Sequence, residues 1–132
     1  MILVDTSVLV DFLAGRVTAP TRYLERLVAE EAAFFLTPLV VQEVLQGARD
    51  EAEWRTLRAY LTSQLSVDVE EGARSHVEAA RIYFECRRRG LTIRSTIDCL
   101  IAQIALEHSF ALLHDDRDFE SIRRVRKLRT LP

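Results

Sequence analysis

Short strand-like runs alternate along this chain with longer segments of helical period, and that alternation restricts the fold more than any other feature. Residues 2–4 are an unbroken Ile-Leu-Val run, too short for a helix and suited to a strand buried on both faces. Residues 34–36 and 110–113 read the same way, the latter as a central strand. Residues 65–69 place Leu65, Val67 and Val69 at period two, and residues 127–131 are predicted as a thin edge strand. Helical segments lie between all of them. Strands separated by helices require crossover connections, so the pattern predicts an α/β fold with a mostly parallel sheet covered on both faces.

The helical segments carry their own punctuation. Thr6 or Ser7 is expected to cap a helix containing Val8, Leu9, Phe12 and Leu13, with Gly15 at its end. Pro20 suits the first turn of a second helix, whose Leu24, Leu27 and Val28 share a face. Thr37-Pro38 resembles a cap with proline at the first helical position, leading through Glu43 towards Gly47. Trp54, Leu57 and Leu61 mark a fourth helix. The longest is predicted over residues 70–89, burying Ala73, Val77, Ala80 and Phe84 with Ile82, Tyr83 and Cys86, and Gly90 stops it. Ser95 or Thr96 is expected to cap the next helix, with Ile97, Ile101, Ile104 and Ala105 inward. Phe119 and Ile122 fit a short final helix.

A chain of 132 residues can bury about two thirds of its unfolded surface without a disulfide or structural metal. One domain over residues 1–132 is therefore expected, with no internal repeat. A composition of 48% hydrophobic and 29% charged residues argues against disorder. The formal net charge of -2 excludes a uniformly basic nucleic-acid coat, so nucleic-acid binding would need a local positive patch. Cys86 and Cys99 form no CxxC pair and read as buried free thiols in a reducing compartment. No window supplies the ~20 apolar residues of a membrane span, which makes the cytoplasm the expected location.

Against this apolar framework stand four acids: Asp5 after the first strand, Glu43 among Val40, Val41, Val44 and Leu45, Asp98 at the head of a helix, and Asp116 after residues 110–113. Each has a structural reading on its own. Asp5 can cap a helix, Glu43 can be solvated, Asp98 can close a capping box with Ser95, and Asp116 can belong to a charged turn with Asp115 and Asp118. Together they are more specific. Carboxylates bordering a core suffer desolvation and mutual repulsion, and a hard divalent cation such as Mg²⁺ relieves both. In an open α/β sheet, sites form beyond the carboxyl ends of strands, where Asp5 and Asp116 are expected. Metal-dependent phosphodiester hydrolysis is the leading chemistry. Thr6 and Thr96 offer hydroxyls to orient a carboxylate or a water.

Four segments in order resemble the PIN-domain family, and within it the VapC-type ribonuclease toxins of toxin–antitoxin pairs. The segments are Ile2-Leu3-Val4-Asp5-Thr6-Ser7, Pro38-Leu39-Val40-Val41-Gln42-Glu43-Val44, Thr96-Ile97-Asp98-Cys99-Leu100-Ile101-Ala102 and Leu112-Leu113-His114-Asp115-Asp116-Arg117-Asp118-Phe119. The resemblance implies a three-layer α/β/α sandwich and an Mg²⁺- or Mn²⁺-dependent endoribonuclease. It also implies a homodimer and a cognate antitoxin as inhibitor. Asp5, Glu43, Asp98 and Asp116 take the catalytic and metal-binding positions, with Asp118 assisting. Two positions depart from the family's usual pattern: Cys99, where an apolar or small residue is common, and His114, where threonine or serine is common.

Basic residues gather in two stretches. Arg81, Arg87, Arg88, Arg89 and Arg94 flank the approach to Asp98, while Arg117, Arg123, Arg124, Arg126, Lys127 and Arg129 crowd the tail. Both stretches could hold phosphates, and the first together with Arg117 supplies the candidate RNA contacts. The bland alternative is solvated helix faces, with Arg87 to Arg89 complementing a helix dipole. His76, His108 and His114 lack zinc-ligand spacing with either cysteine, and Ser7 lacks a His-Asp pair for covalent catalysis. Tyr23 and Trp54 are candidates for an antitoxin interface. Residues 54–61 or 82–106 are candidates for a dimer interface. Two rival functions accompany the nuclease toxin: a processing metallonuclease outside any toxin system, and an inactive module that binds RNA or an antitoxin.

Overall fold

Five strands lie side by side in the order β3-β2-β1-β4-β5, every neighbouring pair parallel. The computed structural model describes all of residues 1–132. In chain order the elements are β1 (Ile2–Val4), α1 (Thr6–Leu13), α2 (Ala19–Ala29), β2 (Phe35–Leu36), α3 (Pro38–Leu45), α4 (Glu51–Thr62), β3 (Leu65–Ser66), α5 (Ala73–Arg88), α6 (Thr96–His108), β4 (Ala111–Leu113), α7 (Arg117–Arg123) and β5 (Thr130–Leu131). The path from β1 through β2 to β3 moves one way across the sheet. The path from β3 to β4 and β5 moves the other way. Right-handed crossovers therefore put α1 to α4 on one face and α5 to α7 on the other. Contacts respect that division: α1 packs on α2 and α3, while α5, α6 and α7 pack on one another. The result is the expected three-layer α/β/α sandwich, with a sheet that is parallel throughout.

The direction reverses between β1 and β4, and a crevice beyond the carboxyl ends of strands forms at such a reversal. These two strands are held in register by Leu3 opposite Leu112 and Val4 opposite Leu113, all four buried. Ile101 and Ile104 of α6 are fully buried with them in the same hydrophobic core. Each such side chain contributes about 1.5–3 kcal/mol when taken out of water. That rigid floor fixes where the chain emerges from β1 and β4, and so where Asp5 and the loop bearing Asp116 stand.

Several local expectations are corrected. Asp5, rather than Thr6 or Ser7, caps α1, accepting the Ser7 N–H. Ser95 precedes α6 but its side chain makes no capping bond, so it forms no capping box with Asp98. The strand expected over residues 65–69 ends at Ser66, because the Asp68 side chain takes the Val69 N–H at 2.7 Å and turns the chain out of the ladder. Helix α5 begins only after Gly72, whose φ of 52° lies in the left-handed region. Its buried stripe is Ser75, Ala79, Ile82 and Cys86, whereas Val77 and Phe84 face outward. Buried Ser75 disguised that stripe; its hydroxyl accepts the Glu71 N–H at 3.2 Å. At the other end of α5, Gly90 (φ 72°) lets the Leu91 N–H reach back to the Cys86 carbonyl. No helix is long and apolar enough to cross a membrane.

Candidate metal centre

Asp5 leaves β1 and turns the chain into α1. Its Oδ2 accepts the Ser7 N–H at 3.0 Å and the Ser7 hydroxyl at 2.5 Å. The same hydroxyl accepts the Asp115 N–H at 3.0 Å, so Ser7 ties the end of β1 to the loop after β4. Asp5 Oδ1 is buried and has no hydrogen-bond partner within the chain. Burial raises the Asp5 carboxyl above its usual range and the charge of Glu43 adds to this, while the bonds from Ser7 oppose it.

Asp98 stands in the first turn of α6, only 7% exposed. Its Oδ2 is likewise buried and unpartnered. Burial comes first in pushing its carboxyl up to about 8, then the charge of Asp5, a hydrogen bond shared with Asp118, and the charges of Asp116 and Asp118. A carboxyl group held this way favours a proton or a metal over bare ionisation.

Asp116 caps α7, and its Oδ1 accepts the Asp118 N–H at 2.9 Å. Asp118 is 3% exposed, and its Oδ2 accepts two backbone N–H groups, from Arg94 at 2.9 Å and Ser95 at 3.1 Å. These bonds tie the segment entering α6 to α7. One carboxylate oxygen each from Asp98, Asp116 and Asp118 lies within 4.8 Å of the others. Oxygens on opposite sides of one Mg²⁺ stand about 4 Å apart, twice the ~2.0–2.1 Å bond length, so this trio is only slightly wider than a coordination shell. With two orphaned buried oxygens alongside, the donor set suits a hard divalent cation.

Glu43, half-buried on α3, accepts the Thr6 hydroxyl at 2.9 Å. The tightest trio contains Asp118, which the sequence presented as assisting, while Asp5 and Glu43 join through charge coupling and Thr6. Thr96 opens α6 beside Tyr83, Ile97, Cys99 and Leu100, lining an apolar hollow. The arginines separate. Arg94 Nη2 donates to Asp116 Oδ1 at 3.0 Å, and its Nε lies 3.5 Å from Asp118 Oδ1. Arg94 and Arg117 share a cleft of about 560 Å³ with His114, Asp115 and Asp116. Arg81, Arg88 and Arg89 line a different cleft around Glu85 and Arg126, and Arg87 is exposed on α5. Sequence reasoning missed the bridge made by Ser7, although a hydroxyl two positions after a capping aspartate is a usable signal.

A parallel sandwich gathering buried carboxylates at its strand-order reversal defines an α/β domain with an acid cluster able to coordinate a divalent metal. Comparison with known proteins narrows the class. The PIN-domain family model matches residues 2–125. Ribonuclease VapC11 of Mycobacterium tuberculosis is 36% identical over 129 residues, covering 97% of this chain and 96% of that protein. Ribonuclease VapC51 of the same organism is 35% identical, covering 93% and 85%. Among solved structures, VapBC2 from Rickettsia felis bound to a promoter DNA fragment superposes with a TM-score of 0.75 at 20% identity, covering 99% of this chain and 98% of that one. VapBC-1 from nontypeable Haemophilus influenzae gives 0.75 at 18%, covering 99% and 97%. The chain belongs to the PIN-domain family, among its VapC-type ribonucleases.

Proposed function

We propose that residues 1–132 act as one nuclease domain: an Mg²⁺- or Mn²⁺-dependent endoribonuclease that is the toxin of a toxin–antitoxin pair and hydrolyses RNA phosphodiester bonds. The observation that carries this reading is the pair of buried, unpartnered oxygens, Asp5 Oδ1 and Asp98 Oδ2, in a cluster of further acids. Buried polar atoms without partners are rare because each costs about 1–3 kcal/mol, more when charged. A cation shared by the cluster removes that cost. The likeness to VapC ribonucleases supports the same reading.

Asp5, Glu43, Asp98 and Asp116 hold the metal directly or through water, and Asp118 completes the tight trio. A bound Mg²⁺ or Mn²⁺ supplies Lewis acidity towards a phosphoryl oxygen and lowers the pKa of water. The chain's own residues do the rest. Thr6 orients Glu43, Ser7 orients Asp5, and the Arg94 and Ser95 amides orient Asp118. A carboxylate of the cluster accepts the proton of the attacking water, and Arg94 and Arg117 hold RNA phosphates at the mouth. Arg81, Arg87, Arg88 and Arg89 extend phosphate contact along α5.

The protein works in the cytoplasm, where buried Cys86 and Cys99 stay reduced, as a homodimer restrained by a cognate antitoxin. Exposed Trp54, Val77 and Phe84 supply apolar surface for such interfaces. Purified protein incubated with total RNA tests the activity. Cleavage is expected with Mg²⁺ or Mn²⁺, abolished by EDTA and by Asp5→Asn or Asp98→Asn. Cleavage that survives both variants contradicts the proposal.

A further inference from the structure

His114 ends the buried run of β4 and is itself only 8% exposed. Its Nδ1 accepts the Asp116 N–H at 3.1 Å. A nitrogen that accepts carries no proton, so the neutral ring keeps its hydrogen on Nε2. Nε2 lies 3.3 Å from Glu120 Oε1, a carboxylate that favours the proton there. The ring also packs against fully buried Phe119, centroids 4.9 Å apart. Burial, an aromatic neighbour and a polar contact at each nitrogen thus fix its position and tautomer.

Asp116 occupies the other end of that arrangement. Its backbone is extended (φ -138°, ψ 131°), and its carboxylate caps α7 by accepting the Asp118 N–H. The Asp116 peptide is therefore held by its own N–H on one side and its carboxylate on the other. Without the N–H contact, only the Asp118 N–H and Arg94, both on Oδ1, hold the Asp116 side chain, and its backbone loses its anchor to β4.

We propose that His114 is a positioning residue of the acid cluster: its unprotonated Nδ1 holds the Asp116 amide and so aims the Asp116 carboxylate at a cation shared with Asp98 and Asp118. The inference rests on the cluster being a metal site. It assigns a task to a side chain whose polar contacts are the Asp116 amide and Glu120 rather than the carboxylates of the trio. Outer partners of ligands commonly affect metal affinity by about 10–100-fold.

The test is Mn²⁺ affinity, by titration calorimetry or by loss of the free-ion paramagnetic signal, without RNA. His114→Phe keeps a ring against Phe119 and deletes the acceptor; His114→Asn restores an acceptor near Nδ1. Affinity is expected to weaken about 10-fold or more in His114→Phe and to recover in His114→Asn. Exchange of the Asp116 amide hydrogen should accelerate in the first variant and slow again in the second. Equal Mn²⁺ affinity in wild type and His114→Phe, while Asp98→Asn binds weakly, overturns the role of His114 and leaves the metal centre standing. No binding by the wild type overturns both. Nitrogen-15 spectra of the wild-type ring need no variant: a proton on Nδ1 overturns the proposal, and a proton on Nε2 with coupling from the Asp116 amide supports it.

Discussion

The Thr6 hydroxyl donates to Glu43 Oε1 at 2.9 Å, joining residues 37 positions apart across α1 and α3. Glu43 approaches the acid cluster from the opposite helical layer to Asp98, and Thr6 is the side chain that steers it. Thr6→Val keeps the shape and deletes the donor. RNA cleavage is expected to fall about 10-fold, as for other residues that orient a ligand. Cleavage rates at saturating and limiting Mn²⁺ check this, with the larger deficit at limiting metal.

Stability of the metal-free protein should fall as pH rises. The Asp98 carboxyl titrates at about 8 in the folded chain against 3.8 for an unperturbed aspartate, and Asp5 is raised as well. Between those two pH values the folded state holds a proton that the unfolded state has released. Stability is therefore fully present below about 4 and lost progressively up to about 8 for this group. Thermal melting in EDTA across this range checks the sign. Mn²⁺ should raise the melting temperature most at the alkaline end, where the acids are ionised.

Asp98→Asn separates folding from catalysis. The substitution removes a buried charge that Asp5, Asp116 and Asp118 all repel. At pH 9 in EDTA the variant should melt at a higher temperature than the wild type. Its RNA cleavage should fall by at least about 100-fold, beyond the usual cost of losing an outer partner. Opposite signs in the two measurements are the signature of a site whose strain serves its chemistry.

Arg94→Ala removes the guanidinium that bridges Asp116 and Asp118. If Arg94 meets a phosphate when RNA binds, affinity should fall and its logarithmic salt dependence should flatten by about one unit. Arg55→Ala, on the exposed face of α4 and outside the proposed RNA contacts, is the comparison. Binding of non-cleaved RNA to Asp98→Asn protein at several salt concentrations measures both.

The sequence revealed the layered architecture because strand runs and helical periods are local patterns. The direction reversal between β1 and β4 is not local, yet it explains why the turns after these strands, bearing Asp5 and Asp116, lie close enough for Ser7 to bond the Asp115 amide. Acids beside apolar runs were conspicuous in the chain, but their tightest grouping was not. Asp118 reads in the sequence as an assistant to Asp116; the Arg94 and Ser95 amides that fix its carboxylate lie 24 and 23 positions away and leave no local mark. On α5 a buried serine hid the true core stripe, so Val77 and Phe84 passed for interior residues. The basic run 87–94 looked like one patch. Helix α5 ends inside it, and only Arg94 of that run turns towards the acids.

Diffraction from a crystal soaked in Mn²⁺, with data collected at the manganese absorption edge, tests the shared cation most directly. A metal centre predicts an anomalous peak bonded to oxygens of Asp98 and Asp116 or Asp118, with Asp5 bound directly or through water. A fully soaked crystal with no peak among these carboxylates, or with its only peaks elsewhere on the surface, contradicts it.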